Sequence, residues 1–141
     1  MREKIIHLDG VDKTGKDTIK DNLIKLSNGR YMIIVRSYIS QIVYSNIYKR
    51  DININFFINK MIQAYNNGEY FFFLDASTET IIKRFIYHNE KDLIIDDINK
   101  HKKYFYDVID ILKEKNIIIN IIDTTFNSIQ ESCNLILEKL I

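Results

Sequence analysis

The chain has 141 residues, of which 46% are hydrophobic and 28% are charged. This length predicts a single domain that covers residues 1–141. Lysine and arginine total 20 residues against 19 aspartate and glutamate residues, so the net charge is +1. This balance argues against binding a nucleic acid polymer through a broad basic face, whereas a small phosphate pocket is compatible with it.

Cysteine content and hydropathy exclude further classes of protein. The single cysteine, Cys133, excludes an internal disulfide framework and a thiolate metal cluster within one chain, and no spacing of His, Cys and Asp suits zinc. No apolar run reaches the roughly 18 residues that a membrane span needs, and the amino-terminal residues lack a signal-peptide pattern. We therefore expect a soluble, cytoplasmic protein without a membrane partner.

Strand-like and helix-like segments alternate along the whole chain, with Ser77 as a predicted helix cap. The run Tyr31 to Val35 is continuously apolar, which predicts a strand that is buried on both faces. In chain order, the predicted elements are strand 4–8, helix 15–27, strand 31–35, helix 37–48, helix 52–66, strand 70–74, helix 77–87, helix 96–115, strand 117–122 and helix 126–140.

This alternation, without any hairpin turn signal, predicts the fold class. Strands that are separated by helices pair in parallel, and their helices then cover both faces of the sheet. The sequence therefore predicts a three-layer α/β/α domain with a short, mostly parallel sheet of about four strands.

A glycine-rich segment lies between the first predicted strand and the first predicted helix. The chain has only four glycines, and two of them bracket the pattern Gly-x-x-x-x-Gly-Lys. Such a loop turns its backbone N–H groups inward, the helix N-terminus adds positive potential, and the lysine reaches the β- and γ-phosphates of a nucleotide. A strand–turn–helix connection with two chance glycines is the alternative. The predicted phosphate-binding residues are Gly10, Val11, Asp12, Lys13, Thr14, Gly15, Lys16, Asp17 and Thr18.

Asp17 departs from the usual phosphate-loop pattern, in which a Ser or Thr hydroxyl follows the lysine and contacts magnesium. Because Mg²⁺ prefers oxygen ligands, Asp17 is a candidate metal ligand. The alternative is that its negative charge, beside the phosphates, weakens nucleotide binding. The sequence leaves both interpretations open.

Residues 9–18 resemble the phosphate loop of thymidylate kinases and related deoxynucleoside monophosphate kinases. In that family an acidic residue precedes the first glycine, as Asp9 does, and another follows two residues after it, as Asp12 does. One branch of the family carries a basic residue inside the loop that contacts the transferred phosphoryl group, and Lys13 occupies that position. The resemblance implies a P-loop kinase fold, ATP as phosphate donor and Mg²⁺ as cofactor.

Residues 35–44 resemble the family stretch Asp-Arg-Tyr-x-x-Ser-x-x-Ala-Tyr, with Arg36, Ser40 and Tyr44 in register. The resemblance implies that Arg36 grips the acceptor phosphate, for which a forked guanidinium is well suited, and that Tyr44 flanks the acceptor base. Asp12 and Ser40 complete the implied acceptor site. Val35 stands where the family has an aspartate that serves the magnesium and acceptor side. The alternative for Arg36 is a residue that merely ends a strand.

A third segment, residues 73–84, resembles the family's strand and lid helix. Arg84 then corresponds to an arginine that contacts the donor phosphates, and His88 and Lys91 lie at nearby lid positions. An exposed basic helix end is the alternative interpretation. Residues 123–125 correspond to the donor-base loop by position only. The implied catalytic residues are Lys16, Lys13, Arg84 and Arg36.

Longer family members carry a further strand, substrate loop and helix between the first helix and the Asp-Arg strand. Here Gly29 and Arg30 lead directly into Tyr31, and the chain has no proline for the family's substrate-loop turn. This shortening implies a four-stranded sheet and an acceptor site that is shallow or completed by a partner. The small size and the 29 isoleucines, a composition typical of A/T-rich coding, favour a reduced phage or viral member.

Several other residues have ordinary structural interpretations. His7 is predicted to lie in the core and His101 on a solvated helix face, while Cys133 lies on the apolar side of the last helix. Residues 104–106, a run of three aromatic residues, could line a base pocket, but helix packing is the better prediction.

Three functions follow from these observations. The first is a phosphotransferase that moves the γ-phosphate of ATP to a deoxynucleoside monophosphate, by positioning and charge stabilisation. The second is a nucleotide-binding protein without useful turnover that acts as a regulator or interaction module, favoured by Val35, Asp17 and the missing block. The third is a deoxynucleoside kinase, which would need a carboxylate base at position 35. Apolar faces within residues 37–66 could form a homodimer.

Overall fold

The structure, a computed structural model, describes residues 4–11, 13–87 and 95–140. Within these ranges, four strands alternate with six helices. The strands are β1 (Lys4–Asp9), β2 (Tyr31–Val35), β3 (Tyr70–Asp75) and β4 (Asn120–Asp123). The helices are α1 (Lys16–Leu26), α2 (Tyr38–Ile47), α3 (Ile54–Asn66), α4 (Thr78–Tyr87), α5 (Ile95–Glu114) and α6 (Ile129–Lys139).

All strands pair in parallel, in the spatial order β2-β1-β3-β4. β1 is a central strand, and Leu8 pairs with Val35 on one side and with Phe72 on the other. Because the strands are parallel, their carboxyl ends lie at one edge of the sheet, and the segments that follow Asp9, Val35 and Asp75 begin there. This edge is where ligands bind in open α/β sheets.

Helices cover both faces of the sheet, which confirms the predicted three-layer α/β/α fold class. Successive residues of a strand point to opposite faces, so Phe72 packs against α1 and α6 while Phe71 and Phe73 pack against α2, α3, α4 and α5. His7 and Cys133 are buried, as predicted. Ser77 accepts the Thr80 backbone N–H at 3.1 Å and caps α4 as predicted.

β2 differs from its prediction, because it is an edge strand. Its side chains at Met32 and Ile34 are 48% and 36% exposed, and Ile33 is its buried residue. The expectation of burial on both faces was therefore wrong. A continuous apolar run does not say how many neighbours a strand has, and the shortened chain supplies no described strand outside β2.

The last strand and the last helix begin later than predicted. Residues 117–119 do not pair, and β4 starts at Asn120. α6 starts at Ile129 because Ser128 and Glu131 form a capping box there. Phe126 therefore lies in the turn before the helix, where its side chain is 87% exposed. Among the described helices, none has the length and apolar character needed to cross a membrane.

Candidate functional site

The loop between β1 and α1 needs its two glycines for steric reasons. Gly10 has φ of +155°, and a Cβ atom there would lie 2.5 Å from the carbonyl oxygen of Leu74 and 2.8 Å from Thr14 Oγ1. Gly15 has φ of +92° and is the residue before α1. Glycine adopts these left-handed conformations without the penalty that a Cβ atom brings. The spacing in the sequence therefore reflects a real backbone requirement.

Lys16 and Thr14 hold the loop in shape from inside. Lys16 is buried, and its Nζ donates to the carbonyl oxygens of Gly10 at 2.7 Å and of Val11 at 2.8 Å. The hydroxyl of Thr14 also donates to the Val11 carbonyl, at 2.8 Å. The ammonium group thus lies inside the curve of the loop, where it would contact a bound phosphate.

The N-terminus of α1 completes an anion site. Gly15 has no side chain with which to cap the helix. The first N–H groups of an α-helix have no carbonyl partner within the helix, and such a terminus attracts anions. Asp17 and Thr18 are exposed in this first turn. Asp12, which was predicted to belong to the site, lies outside the described residues.

A cavity of about 780 Å³ opens above this loop. It contains four cationic side chains, and Asp17 is the acidic one among its described lining residues. The lining comprises Lys13, Thr14, Gly15, Lys16, Asp17, Thr18, Arg36, Arg84, Thr124, Asn127, Ser128 and Ile129. The structure therefore brings Arg36 and Arg84, which are 48 positions apart in the sequence, to one anion-attracting cavity with Lys16.

Arg84 connects the phosphate loop to the loop after β4. Its guanidinium donates to the carbonyl oxygen of Lys13 at 2.6 Å and to that of Thr124 at 2.8 Å. Thr124 is fixed in turn, because its N–H and its hydroxyl donate to the Asp75 carbonyl at 2.7 and 2.9 Å. Burial lowers the pKa of Arg84, and the charge of Asp123 opposes this shift. Arg84 is therefore not the solvated helix end of the alternative interpretation.

Lys13 lies at the rim of the cavity. Its backbone is left-handed, with φ of +64°, and its Nζ is 5.5 Å from the centre of the Phe85 ring. This places the side chain beside α4, next to Arg84. His88 and Lys91, the other predicted lid cations, lie outside the described residues.

Arg36 and Tyr44, which the sequence assigned to the acceptor site, form a packed pair. The Arg36 guanidinium lies 5.8 Å from the centre of the Tyr44 ring, and its backbone is left-handed with φ of +69°. The same tyrosine ring also contacts Tyr48, His101 and Phe105 at centroid distances of 5.9–6.3 Å. His101 thus packs on an aromatic ring, and its predicted place on a merely solvated helix face was wrong.

Ser40 belongs to a buried network around Asp9. The Asp9 carboxylate accepts the Ser40 hydroxyl at 2.6 Å, the Ser37 hydroxyl at 2.6 Å and the Ser37 N–H at 2.9 Å. These bonds fasten the start of α2 to the end of β1. The resemblance identified Asp9 as a family residue but did not predict its bonds to Ser37 and Ser40. It also placed Ser40 in the acceptor site, whereas in the structure the Ser40 hydroxyl donates to Asp9.

Asp75, at the end of β3, is a polar centre that the sequence did not identify. Its carboxylate accepts the Tyr106 hydroxyl and the Ala76 N–H, and Lys102 Nζ lies 3.4 Å from Oδ1. Burial and this carboxylate raise the pKa of Tyr106. In the same run Phe105 is fully buried, which agrees with helix packing. A carboxylate at the end of the strand beside β1 was the signal available in the sequence.

A resident protein metal centre has no support in the described part of the chain, because no group of three His, Cys, Asp or Glu side chains converges there. Magnesium in phosphate sites is held by one or two carboxylates together with water and substrate oxygens. Asp17 fits that weaker requirement, since it is exposed in the cavity beside Lys16.

Comparisons with known proteins agree with this geometry at the level of fold. No protein-family model and no curated protein matches the sequence. Solved structures do match, with high similarity of shape and low identity. The chain has the fold of the P-loop nucleotide kinases.

Three structures illustrate this P-loop kinase fold. The YorR protein of Bacillus subtilis, solved in complex with phosphorylated GDP, has a TM-score of 0.83 and 17% identity, over 97% of this chain and 95% of its own. Thymidylate kinase from Candida albicans has a TM-score of 0.67 and 17% identity, over 99% of this chain and 91% of its own. Deoxyadenosine kinase from M. mycoides with bound dATP has a TM-score of 0.61 and 14% identity, over 96% of this chain and 98% of its own.

Proposed function

We propose that this protein is a nucleotide kinase that transfers the γ-phosphate of ATP to a nucleoside monophosphate. One observation carries the proposal: Lys16, inside a glycine loop, and Arg36, directly after the neighbouring strand β2, line the same cavity. A site with one cation for a donor phosphate and another for an acceptor phosphate is what direct phosphoryl transfer needs, since this chemistry depends on positioning and charge stabilisation.

On the donor side, the loop N–H groups and Lys16 bind the β- and γ-phosphates of ATP. Arg84 is held at the cavity wall by the Lys13 and Thr124 carbonyls, so its charge is fixed near the transferred group before ATP arrives. A cation that is fixed in advance lowers the barrier, because little reorganisation is needed as charge moves to the leaving oxygen. Lys13 adds a second charge at the rim.

On the acceptor side, Arg36 binds the acceptor phosphate, and its guanidinium packs on the ring of Tyr44. Asp9 fixes the start of α2 through Ser37 and Ser40 and so positions the backbone around Arg36. A phosphate acceptor already carries nucleophilic oxygens, so this reaction does not demand a strong general base. The fold neighbours include a thymidylate kinase, a deoxyadenosine kinase and a protein solved with phosphorylated GDP, and these define the acceptors to test.

Asp17 is the described residue that would hold Mg²⁺, with Thr18 next to it. A Mg²⁺ ion held there would neutralise negative charge on the phosphates of ATP. The protein is expected to contribute few ligands to the metal ion, because magnesium in such sites is held mainly by the nucleotide and water.

Val35 favours a second candidate, a nucleotide-binding protein without turnover. In the related kinases an aspartate at that position serves the metal and acceptor side, and here an apolar residue ends an exposed edge strand. A deoxynucleoside kinase is less well supported, because it needs a base for a hydroxyl acceptor and position 35 has no carboxylate. Pairing of two chains through residues 37–66 and a cytoplasmic location stay predictions.

A single assay separates the two leading candidates. Purified protein is incubated with Mg-ATP and a panel of nucleoside and deoxynucleoside monophosphates, and ADP formation is followed for each acceptor, together with ATP binding. The kinase proposal expects acceptor-dependent ADP. Measurable ATP binding without product from any acceptor would replace it with the binding-protein candidate.

Val35→Asp sharpens the result. If the missing aspartate limits turnover, the variant should raise kcat at least severalfold without tighter ATP binding. Met32→Asp, an exposed position on the same edge strand, is the matched control and should leave kcat unchanged.

A further inference from the structure

A second cavity, of about 350 Å³, lies between the sheet and helices α2 and α3. It opens because β2 is an edge strand, so that no described strand or helix covers Ile34 from outside. Its lining is mixed: besides Tyr38 and Phe57 it includes five polar or charged residues. Among its lining residues are His7, Arg36, Tyr38, Gln41, Phe57 and Glu69.

The polar end of this cavity is a fixed pair, His7 and Glu69. The ring nitrogen Nε2 of His7 lies 2.7 Å from Oε1 of Glu69, and the ring stacks on Phe71 at 4.3 Å between centroids. Because a carboxylate only accepts, His7 Nε2 carries the proton of this bond. A carboxylate has two oxygens and about four lone-pair directions, so Glu69 retains capacity to accept further hydrogen bonds from a ligand.

This cavity is connected to the proposed kinase site through Arg36, which lines both. Ile34 pairs with His7 in the sheet, and Arg36 is two residues further along. At about 3.3 Å per residue along a strand, Arg36 lies roughly 7 Å beyond the Ile34–His7 pair. A mononucleotide with its phosphate at Arg36 and its sugar along β2 would therefore bring its base to the level of His7.

The other place for the base is a cavity of about 270 Å³ beside the Tyr44 ring, which Arg36 also lines. That ring already contacts Arg36, Tyr48, His101 and Phe105, and the described residues that line the cavity include no carboxylate. The cavity beside Tyr38 and Phe57, whose rings are 6.2 Å apart, offers the carboxylate of Glu69 as well.

We propose, resting on the proposed function, that this cavity receives the base of the acceptor and that Glu69 selects guanine. Guanine presents two adjacent donors, N1–H and the N2 amino group, which match a carboxylate. Thymine presents one N–H between two carbonyl oxygens, so it can donate to only one Glu69 oxygen, and a carbonyl oxygen would face the other without a donor. An unmatched polar contact of this kind discriminates strongly between ligands.

The test measures binding of dGMP, dIMP and dTMP in the absence of ATP, by titration calorimetry. dIMP differs from dGMP only in lacking the N2 amino group. We expect dGMP to bind about tenfold or more tightly than dIMP, because one hydrogen bond to a charged group is lost, and dTMP to bind more weakly than both.

Glu69→Gln is the matching change in the protein, with Glu138→Gln on the exposed side of α6 as control. Glutamine still accepts from His7 Nε2, so the fold should persist, and thermal melting checks this. We expect the variant to lose the preference for dGMP over dIMP, whereas the control retains it.

The outcomes separate this inference from the proposed function. Equal binding of the three nucleotides, no binding of any, or an equal loss for all three in Glu69→Gln would each overturn guanine selection, even if ADP forms in the kinase assay. Selective dGMP binding that depends on Glu69 would support it, even if no acceptor yields ADP and the kinase proposal fails.

Discussion

The cavity around Lys16 has two sides, the proposed donor side and the proposed acceptor side, and they are built in different ways. On the donor side, hydrogen bonds to backbone carbonyls connect four segments: the loop after β1, the end of β3, α4 and the loop after β4. Arg84 and Thr124 carry most of these bonds. On the acceptor side, Arg36 follows an edge strand. Its backbone N–H donates to the Leu8 carbonyl at 2.9 Å, and its guanidinium lies over the Tyr44 ring beside a partly open cavity.

This difference has a physical consequence. Backbone carbonyls and N–H groups are present whatever the side chains are, so the donor side depends on glycine geometry and on a few cations. The acceptor side depends on which side chains line a partly open edge, and these can change without unfolding the domain. We therefore expect substitutions on the donor side to affect binding and stability together, and substitutions on the acceptor side to affect specificity.

Replacing Lys16 should produce the largest loss. Lys16→Ala removes the cation inside the loop, and we expect an approximately 100- to 1,000-fold reduction in turnover, the range seen when one charge-stabilising donor is lost. ATP affinity, measured by titration with a fluorescent analogue, should fall as well. Lys25→Ala, an exposed lysine later in α1, should change neither quantity. ATP binding that survives in Lys16→Ala would contradict the donor site described above.

Replacing Gly10 tests the backbone of the donor side alone. In Gly10→Ala the new Cβ atom would meet the Leu74 carbonyl at 2.5 Å, and we expect a loss of roughly 2–4 kcal/mol in the free energy of unfolding in urea. Gly29→Ala is the matched control, because φ is also positive there but nothing lies within 4 Å. That change should cost only about 1 kcal/mol, and equal losses in both variants would argue against close packing at Gly10.

The sequence predicted the geometry of the loop between β1 and α1 better than the surroundings of Arg36, for a physical reason. A phosphate loop is local: its two glycines and its lysine lie within 7 consecutive residues, directly between a strand and a helix, so the pattern reveals the structure. The alternation of elements likewise predicted the layers and the parallel pairing. Domain extent and the roles of individual site residues stay predictions.

Features that depend on distant residues were not predictable in this way. Ser40 binds Asp9 across 31 positions, and Tyr106 binds Asp75 across the same separation. The exposure of Met32 depends on the absence of an outer neighbour. An apolar run shows that a strand is hydrophobic, whereas its place in the sheet is decided by the other strands.

Arg84→Lys separates the charge of the donor side from its geometry. Lysine keeps the charge but cannot reach the Lys13 and Thr124 carbonyls at once, because it lacks the planar fork of a guanidinium. We expect an approximately 10-fold decrease in kcat, with a smaller change in affinity for the acceptor. Lys83→Arg, at the exposed neighbouring position, should leave kcat unaltered, and an unchanged kcat in Arg84→Lys would show that charge alone suffices.

The smallest expected effect tests the polar centre around the Asp75 carboxylate at the end of β3. Tyr106→Phe removes the hydroxyl that donates to Asp75, and we expect a loss of about 1 kcal/mol in the free energy of unfolding at neutral pH. Because the pKa of Tyr106 is raised in the folded protein, its stabilising contribution is complete below the ordinary tyrosine pKa of about 10 and is lost as pH rises above it. The stability difference between wild type and variant should therefore narrow above that pH in parallel urea titrations. A difference that stays constant into the alkaline range would mean that the hydroxyl stabilises the fold by packing and not through Asp75.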